Sequence, residues 1–497
     1  LFFLVLYVCN YHYIACRRKC INLQKRNKMF RDIKFGTDGW RALIGKEYTV
    51  GNVIRVSLGV VQWMKEKKFS SVIIGHDCRF GGKMFAEAAA SVFAQNGIQV
   101  VMDRSYVTTP MISLALVKLN VPVGVIITAS HNPPEYNGYK LKSGYGGPTA
   151  EEDIRKVESF IPENIPEYTT EINGFIQNGA VKFLDLSSIY QNHLESHFNL
   201  EKLRSISSSM VYDSMFGAGR EIMQSNFPLA THLHNGFNPY FDGIAPEPIP
   251  KNLKTLESFI KEHKGMYSFG LANDGDADRI GMYDGNGCYV DAQHILLLLL
   301  YYLVEFKKFS GRVVVSFAVT EKVKLLAKTY GLPYTYTKIG FKNITPLMLK
   351  EQVIMAGEEA GGIAAINHIP ERDGIWIGLM MMELMVKTGK NLAELVDLIH
   401  EKVGRFTYDR VDLHLSLSQK EKVVLKCIRG EIVQIGHREI VKTYDLDGYK
   451  YYFGDDEWLM IRPSGTEPVL RLYAQSKSER DVKQLLADAQ KELLAEN

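Results

Sequence analysis

The sequence predicts an α/β chain of several domains whose last unit changes to α+β. Three observations carry this. Helical and strand patterns alternate from Asn52 to Thr128, the same rhythm returns from Val313 to Thr337, and after about Phe406 several strands precede one closing helix. At 497 residues the chain is too long for a single core, and its length fits roughly three to four domains.

The elements follow in order. Asn52 to Lys65 has helical spacing, and Ser71 to Gly75 is a short β-branched run. Lys83 to Asn96 is Ala-rich and helical, with Gly97 as its C-cap. Ile98 to Met102 reads as a strand, Pro110 to Leu119 as a helix, and Pro122 to Thr128 as a strand running into Ser130. A second unit starts near Ile176, with a helix over Leu184 to His197, a strand over Met210 to Asp213 and a helix opened by Gly217-Ala218-Gly219. The strand Ser268 to Ala272 delivers an acidic loop. A hairpin follows, turning at Asp284-Gly285-Asn286-Gly287. Asp291 is the expected N-cap of the leucine-rich helix His294 to Phe306, which is too short to span a membrane and reads as a buried core helix. Thr320 to Tyr330 continues the α/β rhythm. In the last unit, strands fall at Arg410 to Leu415, Tyr449 to Phe453, Leu459 to Arg462 and Leu470 to Ala474, before a helix over Ser478 to Leu494.

Charge narrows the partners. The chain holds 59 Lys and Arg against 56 Asp and Glu, a net of +3. Six of the basic residues lie within 1–28, which has no acid. Without them 53 basic residues face 56 acidic ones, so the body offers no case for nucleic-acid binding. In 1–28 the apolar stretch precedes the charges, the reverse of a secretory signal, and it is too short to span a membrane. Met29 is therefore taken as the natural start and 1–28 as lying outside the fold. Three of the six cysteines sit in that leader. Cys78, Cys288 and Cys427 are scattered, with no CxxC pair, which fits a reducing, cytoplasmic setting.

Three segments carry chemistry. Asp274-Gly275-Asp276-Ala277-Asp278-Arg279 places three carboxylates at i, i+2 and i+4, so they can converge on one hard cation such as Mg²⁺ or Ca²⁺. An EF-hand would need Gly at its sixth position and Glu at its twelfth, where Arg279 and Gly285 stand. Thr128-Ala129-Ser130-His131-Asn132-Pro133 sets one serine just past the carboxyl end of a strand, where open α/β sheets bind ligands. It lacks the Gly-x-Ser-x-Gly elbow of a hydrolase, so a phosphate-carrying serine is the better reading. His131 stands either to stabilise the transferring group or to hold the loop. Lys140 is a candidate acid/base, on the argument that a lysine among other cations has a lowered pKa. Near the C-terminus, Arg462-Pro463-Ser464-Gly465-Thr466 offers a guanidinium fork, two hydroxyls and open backbone, a set suited to a phosphate dianion. Gly357-Glu358-Glu359-Ala360-Gly361-Gly362 can accept hydrogen bonds from sugar hydroxyls, and Arg41 ends Phe35-Gly36-Thr37-Asp38-Gly39-Trp40-Arg41 as another possible phosphate contact.

Taken together, these segments resemble the α-D-phosphohexomutase family of phosphoglucomutases and phosphomannomutases, over essentially all of residues 30–497. The resemblance implies three α/β/α-layered domains and a C-terminal α+β domain around a central cleft. With it the units fall at 29–172, 173–288, 289–403 and 404–497. It implies that Ser130 is the phosphoserine and that Asp274, Asp276 and Asp278, with the serine's phosphate, hold one Mg²⁺ per chain. Arg279, Arg41 and His131 then surround the transferring group, with Lys140 as general acid/base. Glu358 and Ala360 lie in the sugar loop, and Arg462, Ser464, Gly465 and Thr466 form the clamp on the non-reacting phosphate. Lys342 and His368 resemble further substrate-loop positions. The implied reaction interconverts glucose 1-phosphate and glucose 6-phosphate through a hexose 1,6-bisphosphate, with mannose phosphates as the alternative. The implied enzyme is a monomer or homodimer whose body needs no membrane. Many members carry Ser where Ala360 stands, so one hydrogen bond of about 0.5–1.5 kcal/mol is missing here.

Overall fold

The computed structural model describes residues 33–165, 167–454, 456–463 and 469–494, so the leader 1–28 lies outside the described residues. The first sheet runs in the order Trp40–Leu43, Tyr136–Ser143, Val123–Ile127, Ser71–His76, Gln99–Met102, Val181–Phe183. Its last four strands are parallel, while Tyr136–Ser143 pairs antiparallel with Val123–Ile127. Two features depart from the sequence reading. Tyr136–Ser143 is a strand, although its mixed polar composition hid it. Val181–Phe183 pairs in this first sheet, so that sheet takes residues beyond 172 that were assigned to the second unit.

The second sheet is ordered Tyr289–Val290, Ile280–Asp284, Phe269–Asn273, Met210–Asp213, Thr231–Leu233. The expected hairpin forms its antiparallel edge. The third runs Tyr334–Thr337, Arg312–Ser316, Val353–Gly357, Ile363–Ala365. The helix Ala292–Glu305 is capped by Asp291, whose side chain accepts from the His294 amide, and its leucines are fully buried. Among the described residues no helix is long and apolar enough to cross a membrane.

One continuous apolar core links these three units, from Met111 and Leu114 through Leu194 and Leu271 to Leu298 and Val315. The C-terminal unit is different. Its five strands are all antiparallel, in the order Thr407–His414, Val469–Ser476, Trp458–Pro463, Tyr449–Tyr452, Lys442–Tyr444. Its core, including Leu472 and Leu485, is its own. It meets the third unit through a small seam of Phe317, Ala318, Trp458, Met460 and Tyr473. The helix Leu417–Ile428 was not expected; Ser416 and Gln419 close a capping box at its start.

Candidate active site

The serine loop is built from behind. Ser130 sits at φ 53°, a left-handed backbone that costs energy for a residue with a side chain. Its amide donates to Thr128 Oγ1 at 2.8 Å, and the Thr128 hydroxyl donates to Asp77. The buried Arg79 guanidinium donates to the carbonyls of Ser130 (2.5 Å), Asn132 (2.6 Å), Pro133 (2.9 Å) and Tyr136 (3.1 Å). Five N–H groups in a rigid fork suit four carbonyls of one tight turn. Burial pushes the Asp77 carboxyl up to about 6 even though Arg79 and the Thr128 hydroxyl oppose the shift.

The acidic loop reaches the same point from the second unit. Ser130 Oγ donates to Asp274 Oδ2 at 2.7 Å across 144 residues of chain. Gly275 permits this approach, since a Cβ there would lie 2.7 Å from the Ser130 carbonyl oxygen. The first unit also grips the loop through Thr109, whose amide donates to the Asp276 carbonyl at 3.0 Å and whose hydroxyl donates to the Asp276 carboxylate.

The three carboxylates are fully buried and offer oxygens within 4.8 Å of one another. Burial and the charges of Asp278 and Asp276 hold the Asp274 carboxyl well above its ordinary range. Asp276 Oδ1 and Asp278 Oδ1 are buried without a hydrogen-bond partner. Oxygen-only donors with unclaimed lone pairs fit a hard divalent cation, so the residues present fit the expected metal.

Lys140 requires a correction. The reading of a lysine among cations, with a lowered pKa, fails. Its ammonium lies 2.7 Å from Asp276 Oδ2, 2.8 Å from Asp278 Oδ2 and 2.8 Å from Asp38 Oδ2. Burial alone would lower its pKa, but those carboxylates outweigh burial and raise it. His131 behaves oppositely. Burial and the nearby Arg279, Arg41 and Lys140 hold its pKa well below the ordinary value, so the ring is neutral, with Nδ1 3.4 Å from Ser130 Oγ. Arg41 donates to Asn132 Oδ1 at 2.6 Å. The Arg279 guanidinium lies 3.3 Å from Glu247.

The sugar-loop residues come partly together. Glu358 Oε1 accepts from the Gly340 amide at 2.7 Å, and burial drives its carboxyl up to about 7 against the pull of Arg372. Ala360 stands in the turn between Val353–Gly357 and Ile363–Ala365. Lys342 pairs with Glu151 at 3.1 Å, joining the third unit to the first. His368 is not brought to the serine and the carboxylates. Its ring is stacked on Trp376 at 3.9 Å and bonded to Asp373 (2.8 Å) and His193 (3.1 Å), an aromatic and acidic environment that holds it in the interior. Arg462 is the last residue but one of the strand Trp458–Pro463, with Nε 3.1 Å from Asp447 Oδ2, while Ser464, Gly465 and Thr466 lie outside the described residues.

Sequence reasoning missed Arg372. Its Nη2 lies 2.7 Å from Asp278 Oδ2 and also bonds Asp38, while Nη1 lies 3.6 Å from Glu358 Oε2. One guanidinium thus touches carboxylates of the first three units. It lay inside the quoted segment His368 to Gly374, and Asp38 inside Phe35 to Arg41, where each could have been read as a charged partner. Asp77 and Arg79 also carried a signal, since they follow the carboxyl end of a parallel strand.

Comparison with known proteins places this arrangement. Models of the phosphoglucomutase/phosphomannomutase family match in order: alpha/beta/alpha domain I over residues 32–167, domain II over 188–287, domain III over 291–402 and the C-terminal domain over 419–492. The chain belongs to this family. A phosphoglucosamine mutase from Methanocaldococcus jannaschii is 31% identical over 463 residues, 91% of this chain and 96% of that one. A phosphoglucomutase/phosphomannomutase from Thermococcus kodakarensis is 27% identical over 463 residues, with the same coverage. A solved structure from Thermus thermophilus, provisionally named a phosphomannomutase, superposes with a TM-score of 0.82 at 32% identity, covering 93% of this chain and 99% of that one. The family's chemistry is that of phosphohexomutases, isomerases that move a phosphoryl group on a sugar phosphate.

Proposed function

We propose that this phosphohexomutase interconverts glucose 1-phosphate and glucose 6-phosphate through a phosphoserine at position 130. The observation that carries the reading is the 2.7 Å contact between Ser130 Oγ of the first unit and Asp274 of the second, made beside a cluster of three buried carboxylates. A hydroxyl so placed, with Arg41, Arg279 and neutral His131 around it, suits holding and passing on a phosphoryl group.

In this reading Asp274, Asp276 and Asp278 with the serine's phosphate would hold one Mg²⁺, which would supply positive charge to the phosphoryl oxygens. Arg79 and Thr128 keep Ser130 in its left-handed turn, so the nucleophile needs no reorganisation. Arg41 and Arg279 balance charge on the transferring group. Lys140 is the proton carrier. Its proton is held by Asp276, Asp278 and Asp38, so it first serves as an acid. Glu358 accepts from sugar hydroxyls, and Arg462 with Ser464, Gly465 and Thr466 holds the phosphate that does not react. The phosphoserine donates to the free hydroxyl: the sugar O–P bond forms as the Ser130 Oγ–P bond breaks, Lys140 gives its proton to the departing Oγ and takes up the proton of the attacking hydroxyl, and a hexose 1,6-bisphosphate results. This turns over and returns its other phosphate to Ser130. A fungal relative of the same fold is described in complex with GlcNAc-6P and magnesium, and again with glucose 1,6-bisphosphate, which supports both groups here.

Glucose is preferred because Gly357-Glu358-Glu359 and His368 to Gly374 look more like glucomutases than like mannose-preferring relatives. Mannose phosphates are the second choice. Turnover of glucose, mannose and glucosamine 1-phosphates, each with a trace of the matching bisphosphate, decides the sugar. Equal or faster turnover of either competitor removes the glucose assignment.

A further inference from the structure

The C-terminal unit has its own core and only a small apolar seam with the third unit, so polar contacts between them matter to how that unit is held. One contact joins two loops of the site. A single oxygen, Asp447 Oδ2, accepts from the Ile339 amide at 2.8 Å and from Arg462 Nε at 3.1 Å. The next amide, Gly340, donates to Glu358 Oε1 at 2.7 Å. Successive amides of one loop are therefore held by a carboxylate of the C-terminal unit and by the carboxylate of the sugar loop.

Two glycines make the fit possible. Gly448, beside Asp447, sits at φ 93°, and a Cβ there would lie 2.5 Å from the Ile461 carbonyl oxygen. The Asp447–Gly448 turn thus lies flat on the end of the strand that carries Arg462. Gly340 sits at φ 116°, and a Cβ there would lie 2.5 Å from the Thr37 methyl of the first unit. Turn and strand end meet by backbone contact, the loop packs on the Thr37 methyl, and the Asp447 side chain joins loop to strand end.

We propose that Asp447 is a positioning residue of the mutase reaction: it aims the Arg462 guanidinium and ties the phosphate clamp to the sugar loop. The proposal rests on the reading of Arg462 as part of that clamp. A guanidinium has five donors. Fixing Nε limits rotation of the fork and keeps the Nη groups for a phosphate dianion, so less freedom is lost when the sugar phosphate binds. Because one oxygen accepts both bonds, an asparagine at this position retains the acceptor and an alanine does not.

The test uses the full chain and whichever hexose 1-phosphate it turns over fastest. Asp447→Ala is expected to raise KM about 10-fold with kcat within about 3-fold, and Asp447→Asn to stay within about 3-fold of the native KM. Arg462→Ala combined with Asp447→Ala should lose less than the product of the two single losses, because aiming Arg462 is one of the two roles of Asp447. Hydrogen exchange at the Ile339 amide should quicken about 10-fold in Asp447→Ala and stay near native in Asp447→Asn. Multiplying losses in the double variant, a native KM in Asp447→Ala, or unchanged exchange at Ile339 would each overturn the role of Asp447. A native KM in Arg462→Ala would instead overturn the clamp itself, and the aiming role with it.

Discussion

Glu358→Gln removes a charge that the fold holds against its solvation. Burial raises the Glu358 carboxyl from an ordinary 4.5 to about 7, with Arg372 and the Gly340 amide opposing the shift. Between those two pH values the native chain keeps a proton that the unfolded chain has released. Stability therefore falls as pH rises through this window and stays lowered above it. The gap corresponds to about 3 kcal/mol. Glutamine keeps the oxygen that accepts from Gly340 and has no charge to desolvate. The variant should thus match the native chain to within about 1 kcal/mol at pH 5 and exceed it by about 3 kcal/mol at pH 8. Denaturant titrations at both pH values, in EDTA, read this difference. The same variant should lose about 10-fold or more in kcat/KM, because a charged acceptor for sugar hydroxyls is gone. An equal stability change at both pH values, or destabilisation at pH 8, would refute the reasoning about burial. Unchanged kcat/KM would refute the sugar contact.

Other outcomes follow from the same geometry. Lys140→Met takes from buried Asp276 its ion-pair partner and leaves Asp278 to Arg372 and Asp38 to Arg372 and Lys142, so it should destabilise the chain by about 3 kcal/mol in EDTA. Mg²⁺ at about 100 times its Kd should return about 2.7 kcal/mol by binding the native state alone; thermal scans with and without metal check both figures. Arg79→Lys replaces a planar fork by one point charge beneath four carbonyls. About 2–3 kcal/mol of stability should go, together with a slower transfer of labelled phosphate to Ser130. His131 is held neutral by burial and by its cationic neighbours, so lowering the pH from 8 to 6 should leave its ring proton signals in NMR unshifted, and a titration there would contradict the assignment.

Much of this was legible because the chemistry is carried by short runs. Three aspartates in five residues and a serine after an apolar strand each stand out in the sequence. The α/β rhythm was legible because buried parallel strands are apolar on both faces, as Val123–Ile127 is. The strand Tyr136–Ser143 was not, since it buries the polar Asn137 and sets Lys140 and Lys142 against carboxylates of other units. The error over Lys140 has the same origin. Its neighbours in sequence are neutral or cationic, and the carboxylates that set its charge arrive from 38, 276 and 278. His368, a substrate-loop position by resemblance alone, shows nothing in sequence of Trp376 and Asp373, which hold its ring inside. Arg372, which links three units, shows in sequence only as one charge among several.

The central claim is that Ser130 carries the phosphoryl group. The purified chain should be incubated with glucose 1,6-bisphosphate and Mg²⁺, digested, and its peptides analysed by mass spectrometry. Phosphate is expected on Ser130, with neither phosphate nor mutase turnover in Ser130→Ala. Phosphate on a different residue, or turnover that survives in Ser130→Ala, would contradict it.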